Sequence, residues 1–319
     1  MPTYQSAKPF LKWAGGKGQL LAYIDRRLPA ELANGAIARY VEPFVGSGAV
    51  FLHVAQHYPV AEFFLADRSA ELALAYTAVR EAVEPLIERL AQIQAHYERL
   101  AEPERRTYFY QVRAAFNRAS PTSADRIERA AQLIFLNRTC FNGLFRVNAR
   151  GEFNVPFGRY ARPRICDAAN LRAVAQLLQR ARIGWGDFTH CEPAIDGQTL
   201  VYLDPPYRPI GKTARFNAYA PAAFDDAEQL RLRDWFARLD AKGAKLLLSN
   251  ADPRNADPDD AFFDAAYRGY WIERVAATRA INSKPDRRGA INELLIANYP
   301  PADGGERSMV PPPSRQSPS

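Results

Sequence analysis

The tetrapeptide Asp204-Pro205-Pro206-Tyr207 closes a mostly apolar run, "LVYL", at 200–203. Such a run reads as a buried parallel strand. Neither proline can donate a ladder hydrogen bond, so the strand stops there. An acid, backbone carbonyls and a flat phenol ring are thereby held rigid at a strand's carboxyl end, where open α/β sheets bind ligands. A planar aminopurine suits the set. Asp204 and the Pro205 carbonyl can accept the two N–H bonds of an exocyclic amine, and Tyr207 can stack on the ring. A plain strand-end turn is the alternative, although Asp and Tyr flanking tandem proline are uncommon by chance.

A second set lies near the amino terminus. "EPFVGSG" (42–48) separates a strand from a helix, and its glycines let backbone approach a ligand beside free helical N–H groups. Asp67 ends the next strand, 19 residues after Gly48, the spacing at which an acid takes ribose hydroxyls of an adenine nucleoside. Phe51 stands where the third glycine of the dinucleotide fingerprint belongs, so a tight turn explains the glycines about as well. "FLKWAGGKGQLL" (10–21) fails the phosphate-loop spacing, and its residues alone favour a turn with a surface lysine. His53 and His57 lack the glutamate and the third ligand of a zinc site, and no metal is expected.

Net charge is +7 with a pI near 9.3, which mildly favours a polyanionic partner. Location says more than the total. Residues 138–164 hold six arginines (138, 146, 150, 159, 162, 164) against Glu152 alone, interleaved with Phe141, Phe145, Phe153, Phe157 and Tyr160.

These residues need an α/β frame. "RYVEPF" (39–44) and "AEFFLA" (61–66) read as strands around a glycine loop and helix, a βαβ half-unit. Helices follow at 69–83, from Pro85 (which interrupts the first) to about 100, at 104–118, from the capping pattern Asp125-x-x-Glu128, and at 168–181. The α/β rhythm then resumes with "ARIGWGDF" and "LVYLDPPY". A helix capped by Asp225-x-x-Glu228, the buried strand "AKLLLSN" (244–250) and an antiparallel pair, "GYWIERVAA" and "NELLIANY", complete it. The layout is a sheet protein of 1–75 and 176–299, interrupted by a mostly helical insert at 76–175. The proline- and serine-rich segment 300–319 reads as disordered.

Hydrophobic content of 47% and charged content of 24% suit a globular protein, and no apolar run is long enough to span a bilayer, so no membrane is expected. No secretory start is visible, and Cys140, Cys166 and Cys191 are widely spaced without a CxxC pair. A reduced, cytoplasmic setting with structural cysteines is expected.

"PFLKWAGGK", "EPFVGSGAVFL", the "AD" at 66–67, "NRTCFNGLFRVNARGEFNVPFGRY", the "GDF" at 186–188 and "DPPY", in this order, resemble the Dam-like alpha group of D12-class DNA adenine-N6 methyltransferases. The matches run over residues 9–299. The resemblance implies a Rossmann-like, S-adenosylmethionine-dependent methyltransferase sheet with an inserted, mostly helical DNA-recognition domain. It implies site-specific transfer of a methyl group to N6 of a flipped-out adenine in double-stranded DNA by a monomer, within the bacterial nucleoid or a phage-infected cell. It assigns S-adenosylmethionine to Trp13, Lys17, Glu42, Phe44, Gly46, Asp67, Asp187 and Phe188, with Asp204 shared. By the same resemblance Asp204, Pro205, Pro206 and Tyr207 would hold the target adenine. Leu144, Arg146, Asn148, Pro156 and Tyr160 match positions that touch bases or wedge into the duplex. Lys284, Arg287 and Arg288 in "NSKPDRRG" suit phosphate contacts, and a plain surface loop explains them nearly as well. The insert resembles readers of GATC, although similar motifs also read longer sites. Cytosine-N4 or RNA adenine methylation, a catalytically silent DNA-binding scaffold and, more weakly, a hydride-transferring enzyme are the competing readings.

Overall fold

The computed structural model describes residues 6–120, 122, 125–208, 224–278 and 290–301. Lys284, Arg287, Arg288 and the tail from 302 lie outside them. The strands are β1 (Arg39–Glu42), β2 (Glu62–Asp67), β3 (Ala181–Trp185), β4 (Thr199–Leu203), β5 (Lys245–Ala251), β6 (Trp271–Thr278) and β7 (Ala290–Ala297). They follow the order β3-β2-β1-β4-β5-β7-β6. The pairs β2–β3, β1–β4 and β4–β5 are parallel, whereas β7 runs antiparallel to β5 and β6. This is the expected α/β sheet, and β4, paired on both sides, is buried along its whole length. The strand order reverses direction between β1 and β4, the point at which open sheets present ligand sites.

The helices are α1 (Leu21–Arg26), α2 (Ala30–Ala33), α3 (Ala49–His57), α4 (Ala70–Glu81), α5 (Val83–Arg99), α6 (Glu102–Arg118), α7 (Arg126–Thr139), α8 (Ala168–Leu178), α9 (Asp226–Ala241) and α10 (Phe262–Ala266). The short α1, α2 and α10 were not legible in the sequence. Pro85 does not interrupt a helix. The break is at Ala82 (φ −142°, ψ 45°), and Pro85 occupies the third position of α5, where a missing N–H leaves no intrahelical bond unmade. Ser69, Asp125 and Asp225 cap α4, α7 and α9 as their types predict. The glutamates of the two capping patterns turn elsewhere, Glu128 to Arg89 and Glu228 to Arg231.

Two compact units emerge: Met1–Gly18, Val45–Tyr58 and Glu62–Phe188 in the first, and Gln19–Phe44, Pro59–Ala61 and Thr189–Ser319 in the second. The helical segment 76–175 thus shares its unit with β2, β3 and α3. In that first unit α7 packs against α4, α5 and α6. The stripe Leu86, Leu90, Ile93 and Tyr97 of α5 is buried, and Tyr97 and Phe109 meet Phe135 of α7. In the second unit α9 lies on β5 and buries Trp235, Phe236 and Leu239. Among the described residues no helix is long and apolar enough to cross a membrane.

Candidate active site

In the second unit, Asp204–Tyr207 leaves β4 held by buried polar groups from β5, β7 and α9. Ser249 of β5 donates to Asp204 Oδ1 (3.0 Å) and shares a hydrogen bond with the Tyr202 hydroxyl (2.8 Å). Gln229 of α9 donates to the Pro206 carbonyl (3.1 Å) and accepts from Asn250 (3.3 Å). Pro205 is buried and Pro206 exposed. Tyr207 is half-buried, and its hydroxyl donates to Glu293 of β7. Burial, then the charges of Asp204 and Glu293, hold its phenol far above the usual range, so it stays a donor. Arg208 is buried next to it, with Nε 2.6 Å from Asp226 and Nη1 2.6 Å from Asp260. Glu42, at the carboxyl end of β1, is also buried and accepts from the Tyr40 hydroxyl (2.8 Å). Burial first and the Glu42 charge second push the Tyr40 phenol well up. Phe44 meets Phe224 edge to face, with ring centroids 5.8 Å apart.

In the first unit the glycine loop and Asp67 form one bonded piece. Gly46 (φ +47°) and Gly48 (φ +69°) are left-handed, a conformation that favours glycine. The Gly46 N–H donates to Asp67 Oδ2 (3.1 Å) and the Ser69 N–H to Oδ1 (2.9 Å). Burial outweighs these donors, and the Asp67 carboxyl lies above its usual range. Gly186 donates to the Asp67 carbonyl (3.0 Å), which brings the start of Gly186-Asp187-Phe188 beside it; Phe188 is buried.

Trp13 stacks on Phe145 (centroids 5.0 Å, planes 20° apart). Its segment is gripped by three amide side chains, each of which accepts from a backbone N–H and donates to the same residue's carbonyl. Gln56 holds Ala7, Asn170 holds Lys8, and Asn137 holds Lys12 at 2.8 and 2.7 Å. Lys17 is buried and donates to the Gly15 carbonyl (3.1 Å), which corrects the surface lysine favoured from residue types. The loop turns back at Gly15 (φ +79°), and the Gly16 N–H donates to the Trp13 carbonyl (3.2 Å).

Residues 139–158 form a hairpin-like loop, bridged between Cys140 and Phe157 and between Val147 and Phe153. Of the interleaved aromatics, Phe153 and Phe157 are buried beneath it, whereas Phe141 is exposed. Arg138 is largely covered and donates to the Phe10 carbonyl (2.8 Å); the other five arginines are exposed. Arg146 Nε donates to Asn154 (2.8 Å). Asn148 closes the tip by accepting from the Arg150 and Glu152 N–H groups and donating to the Glu152 carboxylate. Leu144 is half-buried and Pro156 exposed. The Tyr160 ring lies beneath Lys12 Nζ, 5.3 Å from its centroid. The Cys140 thiol is pushed up to about 11 by burial, which leaves it a poor nucleophile.

Residues 13–281 match the family model of D12 class N6 adenine-specific DNA methyltransferases. The type II methyltransferase M.MjaIII of Methanocaldococcus jannaschii is 45% identical over 293 residues, covering 92% of this chain and 99% of that one. A type II methyltransferase of Lactococcus lactis is 33% identical over 294 residues (92% and 95%), and the DNA adenine methylase of Escherichia coli K12 is 33% identical over 298 (92% and 96%). The chain belongs to the D12 class of DNA adenine-N6 methyltransferases. It is therefore an adenine-specific DNA methyltransferase with a Rossmann-like sheet, as the motifs implied. Family membership sets aside the cytosine-N4, RNA and hydride-transfer readings. The sequence did not reveal how this D12 enzyme supports its motif residues. Ser249, Gln229 and Glu293 lie 23 to 86 positions from the residues they hold, and nothing local marks them.

Proposed function

We propose that the enzyme transfers a methyl group from S-adenosylmethionine to N6 of an adenine flipped out of double-stranded DNA, within GATC, and acts as a monomer. The observation that supports this most is the anchoring of Asp204 to Tyr207. Gln229 donates to the Pro206 carbonyl, which supports the Pro205 carbonyl as the partner of Asp204 for the two amine protons. Drawing on both N–H bonds raises electron density at N6, whose lone pair is otherwise delocalised into the purine. Tyr207 supplies the stacking surface, which offsets the few kcal/mol needed to unstack the base. Positioning and electrostatics supply most of the rate, and the N6 proton leaves to water after transfer.

The residues fit S-adenosylmethionine. Left-handed glycines open the backbone, Asp67 offers a carboxyl to ribose hydroxyls, and Glu42 is a buried acid suited to a cationic ligand. When bound, the cofactor supplies a methyl group on a sulfonium centre. By the resemblance, Glu42, Phe44, Gly46 and Asp67 would hold its amino acid, sulfonium and ribose portions, Trp13 and Lys17 would be further contacts, Asp187 and Phe188 would flank its adenine, and Asp204 would be shared with the target base. Residues 1–75 and 176–299 act as the catalytic domain and 76–175 as the reader. Leu144, Arg146, Asn148, Pro156 and Tyr160 contact the duplex. Guanine O6 and N7 are the matched partners of Arg146. The names of the type II relatives favour a role alongside a restriction enzyme.

Asp204→Ala tests the assignment. Labelled methyl transfer to duplex DNA is expected to vanish, while binding followed by anisotropy stays within about threefold. Near-normal transfer would remove Asp204 from the reaction.

A further inference from the structure

Glu293 stands in β7, in register with Ala251 of β5 and Val275 of β6, and is only 7% exposed. A carboxylate held out of water needs a partner. One partner here is the hydroxyl of Tyr207, 86 residues earlier in the chain. Tandem proline stiffens the backbone before Tyr207, but it leaves the two side-chain torsions free to swing the ring. A hydrogen bond at the far end of the ring removes that freedom. Its anchor sits on a strand paired on both sides, among the least mobile places in a sheet.

We infer that Glu293 is a positioning residue for methyl transfer: it fixes the rotation of the Tyr207 ring so that the face meeting the target adenine is set before DNA binds. This rests on the proposed placement of Tyr207 in the target-base pocket. A preset ring spares the ordering of a side chain when the base arrives, so the effect belongs in the chemical step and the extruded base, not in cofactor affinity. The phenol, kept protonated by burial and by the nearby acids, remains a donor across the working pH range.

The test compares the full chain with Glu293→Ala, Glu293→Gln, Tyr207→Phe, Tyr207→Ala and the Tyr207→Phe/Glu293→Ala double variant. The substrate is a duplex carrying GATC, with 2-aminopurine at the target position for the fluorescence arm. Glu293→Ala and Tyr207→Phe are each expected to lower kcat about tenfold with the KM for S-adenosylmethionine unchanged, and to alter the fluorescence of the extruded base. Glu293→Gln keeps an acceptor and is expected to recover to within about threefold of the parent. Adding Glu293→Ala to Tyr207→Phe should change kcat no further, a non-additivity that mere stabilisation by Glu293 does not produce. Full activity of Tyr207→Phe, or an undiminished Glu293→Ala effect in its background, would overturn the inference. Because Tyr207→Phe leaves Glu293 in place, that arm decides the matter even if Glu293→Ala fails to fold. Full turnover by Tyr207→Ala would instead overturn the placement of Tyr207 in the pocket.

Discussion

Gly48→Ala places one methyl group at the most constrained point of the glycine loop. The backbone there has φ +69°, which costs an L-alanine about 1–2 kcal/mol. The new Cβ would lie 2.5 Å from the Tyr76 hydroxyl oxygen, well inside contact distance. Tyr76 is buried, stacks edge-on to Phe10 and donates to the Gly46 carbonyl (3.2 Å), so relief means losing that bond, about 1 kcal/mol net. The sum, about 2–3 kcal/mol, lowers Tm by roughly 3–5 °C for a chain of this length. Moving Gly46 also disturbs its N–H bond to Asp67, a donor to an acid worth about 1.5–3 kcal/mol, so S-adenosylhomocysteine should bind roughly 10- to 100-fold more weakly by calorimetry. Tyr76→Phe in the same chain removes the clashing oxygen and leaves the ring carbon at 3.4 Å, an ordinary contact. The double variant should therefore regain affinity to within about threefold of the parent while keeping the Tm loss, because the backbone cost and the missing Tyr76 hydrogen bond both remain. Parental affinity in the single variant, or no recovery in the double, would refute the reasoning.

Arg146→Ala should relax site preference, reducing discrimination at one base pair by about 1–3 kcal/mol, read from methylation rates on duplexes that differ at single positions; unchanged discrimination would show that it reads no base. Cofactor binding should also depend on pH through Asp67. Its folded-state pKa is raised above 3.8 by burial, so the free fold binds this proton more tightly than the unfolded chain does, and this group alone favours folding as pH falls through the raised value. Ribose hydroxyls favour the ionised form, so S-adenosylhomocysteine affinity should be complete above the raised pKa and fall as pH drops through it. Asp67→Asn should flatten that profile, and a profile unchanged in the variant would count against the role.

Much of the frame was legible because it is written in local patterns. Apolar runs that end in Asp67 and Asp204 marked β2 and β4 and the carboxyl ends, where open α/β sheets bind ligands. Ser69, Asp125 and Asp225 marked helix starts through their own side-chain bonds. The support beneath the site was not legible, since it comes from distant pairings. Glu293 in "INELLI" looks like the polar face of an alternating strand, yet it is buried because Tyr207 arrives from β4. Asn137 looked like part of a recognition motif, and it also fastens Lys12, and with it Trp13, to the hairpin base through the Gly143 carbonyl (2.9 Å). The arginine- and phenylalanine-rich stretch divided by burial: composition could not separate Phe153 and Phe157, which pack inward, from Phe141, which does not.

The central claim is most directly tested by labelled methyl transfer from S-adenosylmethionine to plasmid DNA, followed by sequencing that maps modified adenines. Label confined to N6 of adenine within GATC is the predicted result. Label at another short motif would overturn the site while keeping the reaction, and no label from a protein that binds both DNA and cofactor would contradict the account.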